Sequence, residues 1–191
     1  MKKIILVALA IFSVSFANAQ IADQIKKSRD RAAKLEALSK DYKTCGNAGI
    51  DGYGNDVKNA AALAIANSVQ LENLYKREIG ESADGVQDVT VTKPKLEDWT
   101  ALAATVAGEA ASIKSAVDKA KGAGEEAKNV AQSAASEKNP MKKAKAAKNA
   151  KGAAAVIEFG NAATPILLEE SAAQVKAVEE IIKTLKAGKN L

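Results

Sequence analysis

Glu109, Asp118, Glu125 and Glu126 are the carboxylates whose spacing comes nearest to a pair capable of general acid–base work. That chemistry needs one carboxyl held protonated beside another that stays ionised, and so needs two unlike environments. These four share their segment with Lys114, Lys119, Lys121 and Lys128. Ordinary surface ion pairs at three- and four-residue spacing account for them. The chain contains no histidine, which removes the commonest general base, the commonest zinc ligand and any Ser-His or Cys-His nucleophile. It shows no glycine-rich phosphate loop after a strand, no cysteine-rich metal pattern and no nucleophile elbow. The expectation is a protein without catalysis, cofactor or metal.

Three other groups of residues merit a chemical reading. Asp51-Gly52-Tyr53-Gly54-Asn55-Asp56 has oxygen ligands at the early spacing of a calcium loop, but Ala62 stands where the bidentate Glu belongs and glycine misses the sixth place. The segment reads as a glycine-rich turn. Cys45 is the only cysteine; it is either half-buried at a helix end or, in an exported chain, the site of an intermolecular disulfide. Lys138, Lys142, Lys143, Lys145, Lys148 and Lys151 form a positive block with no acid between Glu137 and Glu158. Lys142, Lys143, Lys145, Lys148 and Lys151 are the candidate residues for contact with an anionic surface: lipid head groups, a polyanionic glycan or an acidic protein. The apolar stretch 152–168 carries only Glu158 as a charge. It is shorter than a spanning helix and reads as core, with membrane insertion as the competing use.

The N-terminus gives the address. Lys2 and Lys3 precede an apolar run from Ile4 to Phe16, and Ala17-Asn18-Ala19 supplies a small-x-small junction. This pattern predicts a cleaved signal peptide over 1–19. The Lys-Lys start and the Ala-Asn-Ala-Gln junction look like those of exported proteins of Bacteroidota. That resemblance implies a Gram-negative envelope, hence periplasm, outer-membrane association or release. Cleavage leaves 172 of the 191 residues and, by removing two lysines, lowers the formal charge from +5 to +3, too little to argue for a nucleic-acid partner. Among aromatics it leaves only Tyr42, Tyr53, Tyr75, Trp99 and Phe159.

So alanine-rich a chain suits long helices better than a deep globular core. Apolar spacing predicts one domain over 20–191, with helices at 20–44, 56–79, 94–137 and 140–187. The first stripe is Ile21, Ile25, Ser28, Ala32, Leu35 and Tyr42, with Leu38 beside it; the second is Val57, Ala61, Ala64, Ser68, Leu71 and Tyr75. The third segment alternates threes and fours through Trp99, Ala103, Val106, Ala110, Ile113 and Val117, a coiled-coil period. Pro94 is expected in the first turn of that helix, Asn139-Pro140 starts the fourth, and Pro165 predicts a break within it. The segment 86–92 alternates but has no partner strand, and is read as loop. The fold class that follows is all-α: an elongated antiparallel bundle of about four helices, with the third and fourth forming a long coiled-coil-like hairpin.

The function expected is therefore contact: an exported interaction or scaffold module meeting an envelope or surface protein, or an anionic lipid or glycan. Self-association through helix packing or Cys45 is a further expected partner mode. The competing readings are a membrane-active protein that uses the lysine block with 152–168, and a solvating stress-protective chain.

Overall fold

The computed structural model describes residues 2–81, 86–87 and 90–191, with side chains from Gln20 onward. Four helices carry nearly all of it: α1 (Lys2–Lys40), α2 (Ala48–Glu78), α3 (Leu96–Ser136) and α4 (Pro140–Lys186). Consecutive helices run antiparallel. Asn67 meets Glu109 and Asp56 meets Lys119 across α2 and α3, while Arg31 meets Glu170 across α1 and α4. Helix α1 packs on α2 and α4, and α3 packs on the same two from the opposite corner. Helices α2 and α4 face each other across the centre and run in the same direction. The all-α bundle with a long α3–α4 hairpin is the architecture that the periodicity implies. The backbone of α1 passes without interruption from Lys2 through the Ala17–Ala19 junction.

The core divides into two apolar clusters. One gathers Leu35, Ile50, Tyr53, Val156, Phe159 and Leu167 near the α3–α4 turn. The other gathers Ile21, Leu71, Trp99, Leu102, Val178 and Ile181 at the far end. Between them lies a layer of buried polar side chains, among them Ser28, Asn67, Glu109, Glu170 and Gln174.

Several local expectations need correction. The glycine-rich stretch after Cys45 is not a turn as far as Asn55, because α2 already begins at Ala48. Asn47 caps the helix, its side chain accepting the Ile50 N–H at 3.1 Å. Asp51 reaches back to accept the N–H groups of Cys45 and Gly46 at 2.7 and 2.8 Å. Within this stretch Gly46 alone takes a left-handed backbone, at φ +84°; Gly54 serves a different purpose. A Cβ there would lie 2.6 Å from Val156 Cγ1 and 2.7 Å from the Tyr42 ring, so glycine lets α2 approach its neighbours closely.

Helix α3 starts at Leu96, two residues after Pro94. The Asp98 carboxylate accepts the Lys95 N–H at 2.8 Å and so fixes the first turn there. Helix α4 does not break at Pro165. Pro165 and Asn161, whose carbonyl loses its helical partner, both lie exposed on the outer face, where water can satisfy that carbonyl. The connection after Gly80 holds one antiparallel bridge, Glu81 with Gln87; part of the stretch read as loop, residues 82–85 and 88–89, lies outside the described residues.

The seam of α3 is also rotated from the expected one. Trp99, Val106 and Ile113 are buried as the spacing requires, but Leu102, Glu109, Ala116 and Ala123 alternate with them. Val117, expected on the seam, is 42% exposed.

Close approach at glycine gives a paired prediction. A Cβ on Gly160 would lie 2.1 Å from the Tyr53 hydroxyl, whereas one on Gly122 meets open space. Gly160→Ala should lower stability by about 1–3 kcal/mol, and Gly122→Ala should raise it by up to about 1 kcal/mol. Urea unfolding midpoints check both, and equal shifts of the same sign would contradict the packing described.

Candidate functional site

Two places in the bundle concentrate polar chemistry: the buried layer at its middle and the lysine-bearing end of α4. The layer is built by seam positions of all four helices. Arg31 of α1, 8% exposed, donates from Nε to Glu170 Oε2 at 2.5 Å and from Nη1 to Glu169 at 3.1 Å. Ser28 donates to the other oxygen of Glu170 and accepts from the Ser68 hydroxyl of α2, the latter at 2.8 Å. Gln174, one turn along α4, donates to Glu170 Oε1 at 2.6 Å and to the Ala64 carbonyl at 3.0 Å. Glu170 is fully buried, yet a cation and two neutral donors serve its carboxylate, as a buried charge requires.

Glu109 is buried to the same extent but has no cation. Asn67 donates to its Oε2 at 2.7 Å, while Oε1 has no hydrogen-bond partner among the described residues. Burial pushes its carboxyl up to about 7; the Asn67 hydrogen bond opposes the rise and the Glu170 carboxylate adds to it. The expectation that Glu109 sits in ordinary surface pairs is thus overturned. The same layer holds Gln174 Oε1, a buried acceptor also without a partner. Protonated Glu109 is a donor in surroundings that favour one.

The lysines belong to the outside. Lys138, Lys142, Lys143, Lys145, Lys148 and Lys151 are all exposed, and Met141 beside them is 86% exposed. Asn139 caps α4 by accepting the N–H groups of Met141 and Lys142 at 3.0 and 3.2 Å, which fixes the turn that presents them. Lys142, Lys145, Lys148 and Lys151 follow one another at three-residue spacing. The last two reach the mouth of an open cleft of about 780 Å³ between the end of α1 and α4. Tyr42 and Phe159 form part of its floor, ring centroids 4.9 Å apart. Tyr42 is held in place by donating to Asn55 Oδ1 at 3.0 Å, with Lys58 over its ring.

Cys45 is half-buried and packs against Gly152, where a Cβ would lie 3.0 Å from its own. Burial raises its thiol pKa, and the neighbouring Asp51 carboxylate adds to that, so the thiolate needed for disulfide exchange forms less readily. The acids of the calcium-like segment serve the chain itself: Asp51 caps, and Asp56 accepts from Lys119 at 2.5 Å and from Ser115 at 3.3 Å. Among the described residues no three His, Cys, Asp or Glu side chains group as a metal site.

Glu109 yields a prediction with a definite sign. Its pKa is higher folded than unfolded, so the folded state holds the extra proton between the ordinary value of 4.5 and about 7. Its effect on stability is therefore most favourable below that window, declines as pH rises through it, and levels off above, the full difference being roughly 3 kcal/mol. Glu109→Gln should unfold at higher urea than the parent at pH 8 and lose most of this slope. Parallel pH profiles for the two proteins would show that Glu109 does not carry it. In comparisons with protein-family models, curated proteins and solved structures, no match to the chain is found.

Proposed function

We propose that the chain is an exported, non-enzymatic helical bundle that acts as an interaction module of the cell envelope, meeting an anionic partner through the turn end of its α3–α4 hairpin. The observation that carries this reading is the exposed lysine block on a capped helix start. Helix α4 has no acidic residue in its first turn to balance it. A cationic first turn works against the helix dipole, so these lysines are poorly explained by the helix's own stability. Long-range attraction to an anionic surface gives them a use. The signal-like N-terminus supports the address, and the shortage of acid–base and nucleophilic groups supports contact over catalysis.

The apolar stretch 152–168 contributes Ala153, Val156, Phe159, Ala163 and Leu167 to the core. Among the described residues no helix is long and apolar enough to cross a membrane.

Cell fractionation tests the proposal. The protein should be recovered with the envelope and be released as salt rises, since exposed charges are screened within about 8–10 Å at 0.1–0.15 M ionic strength. The triple variant Lys142→Glu/Lys143→Glu/Lys145→Glu, altered only at exposed positions, should lose most of the envelope-bound fraction while melting no lower than the parent. Recovery in the cytoplasm, or retention that neither salt nor charge reversal changes, would contradict it.

A further inference from the structure

We infer that the cleft between the end of α1 and α4 binds a single-chain amphiphile with an anionic head, namely a long-chain carboxylate taken up as a monomer. This is a separate contact from the one proposed for the hairpin turn, and of the lysine block it uses only Lys148 and Lys151.

The cleft has a direction. Because α1 and α4 are antiparallel, Tyr42 lies level with Phe159 and Cys45 level with Gly152. Lys43 and Thr44 therefore belong to the end of the cleft where Lys148 and Lys151 stand. None of these three lysines has an ion-pair partner among the described residues. The opposite end is lined by Ala37, Leu38 and Ala162. Between the ends lie Phe159 and the Tyr42 ring, with the exposed Ala155 at the rim. The two acids of the lining, Asp41 and Glu158, are neighbours in sequence of Tyr42 and Phe159, and so lie about midway.

That distribution selects a ligand. An anion is attracted to the lysine end and repelled from the middle, so a molecule with a charge at each end is disfavoured and one with a single terminal charge is favoured. Lysine is a point charge that imposes no fork-like geometry, and a simple carboxylate suits it. From Lys151 to Ala162 the helix advances about 16 Å, room for an alkyl chain of about a dozen carbons. The volume of about 780 Å³ falls within the range of small-molecule sites, which are mostly apolar with a few placed polar groups. Small side chains at Gly152, Ala155 and Ala162 leave the trough open, and each chain methylene covered there favours binding.

Isothermal titration of the purified protein with laurate, kept below its micelle concentration, tests this. The expected result is a saturable isotherm with one site per chain. Lys148→Glu/Lys151→Glu should weaken binding at least tenfold, as should replacing laurate with dodecanol, which keeps the chain and lacks the charge. Ala155→Trp, which fills the trough from an exposed position, should abolish binding; if that variant does not fold by circular dichroism, Ala162→Phe takes its place. No saturable binding up to the solubility limit of laurate overturns the inference. So does loss through charge reversal with no effect of the filling variant, which would put the anion on surface lysines alone. Association only with oleate-containing vesicles, and not with monomeric laurate, overturns it as well.

Discussion

The buried ion pair of Arg31 with Glu170 is the contact on which the placement of α1 depends. Helix α1 touches only α2 and α4, and its described buried apolar residues are few: Ile21, Ile25, Ala32 and Leu35. Alanine-rich seams bind weakly and fit one another in many registers, because one small side chain resembles the next. A slip of one turn between α1 and α4 displaces Ile21, Ile25 and Leu35 from the core clusters and also leaves the Glu170 carboxylate there without its cation. Stranding a buried charge in that way costs about 3–5 kcal/mol, whereas the intact pair contributes little net stability over an apolar alternative. The pair therefore acts mainly by excluding wrong arrangements. Ser28 and Gln174 add to this by tying the same carboxylate to Ser68 and to the Ala64 carbonyl.

The layer is asymmetric in a way that follows from its neighbours. On the α1 side Glu170 meets a guanidinium, and on the α3 side Glu109 meets only the Asn67 amide. Burial without a cation is what raises the Glu109 carboxyl, and the nearby Glu170 carboxylate adds to the rise. Opening at α1 would hydrate Glu170, while opening at α3 would hydrate Glu109. The interior chemistry thus bears on stability and register.

Much of this was legible in the sequence, and the failures have physical causes. The α1 stripe from Ile21 to Leu35 and the α2 stripe are the buried faces, with Ser28 and Ser68 in place, because Ile, Leu and Val mark those phases clearly; α1 ends at Lys40 and not at 44, so Tyr42 lies beyond the helix and only half-buried. In α3 the phase is ambiguous. Ala103 and Ala110 compete with Leu102 and Glu109, and the rule that a glutamate faces water favours the wrong pair. The larger side chains Leu102, Val106 and Ile113 held the right phase, and following them places Glu109 inside. The same step along α4, from Leu167 through Glu170 to Gln174, marks the other half of the layer. Composition read glycine as a breaker because it cannot tell a glycine that turns the chain, like Gly46, from one that admits a neighbouring ring, like Gly54 or Gly160. The cleft was invisible for a related reason: it arises where α1 stops and α4 goes on, which is a property of the packed pair.

Residue-resolved hydrogen exchange on Arg31→Met is the most direct test of the claim that the Arg31–Glu170 pair holds α1 in place. Without Arg31, the least costly way to hydrate Glu170 is to lift α1 from the bundle. Amides from Ile21 to Lys40 should therefore lose protection together, while the buried turns of α3 keep theirs. Unchanged protection of α1, or an equal loss across all four helices, would contradict the account.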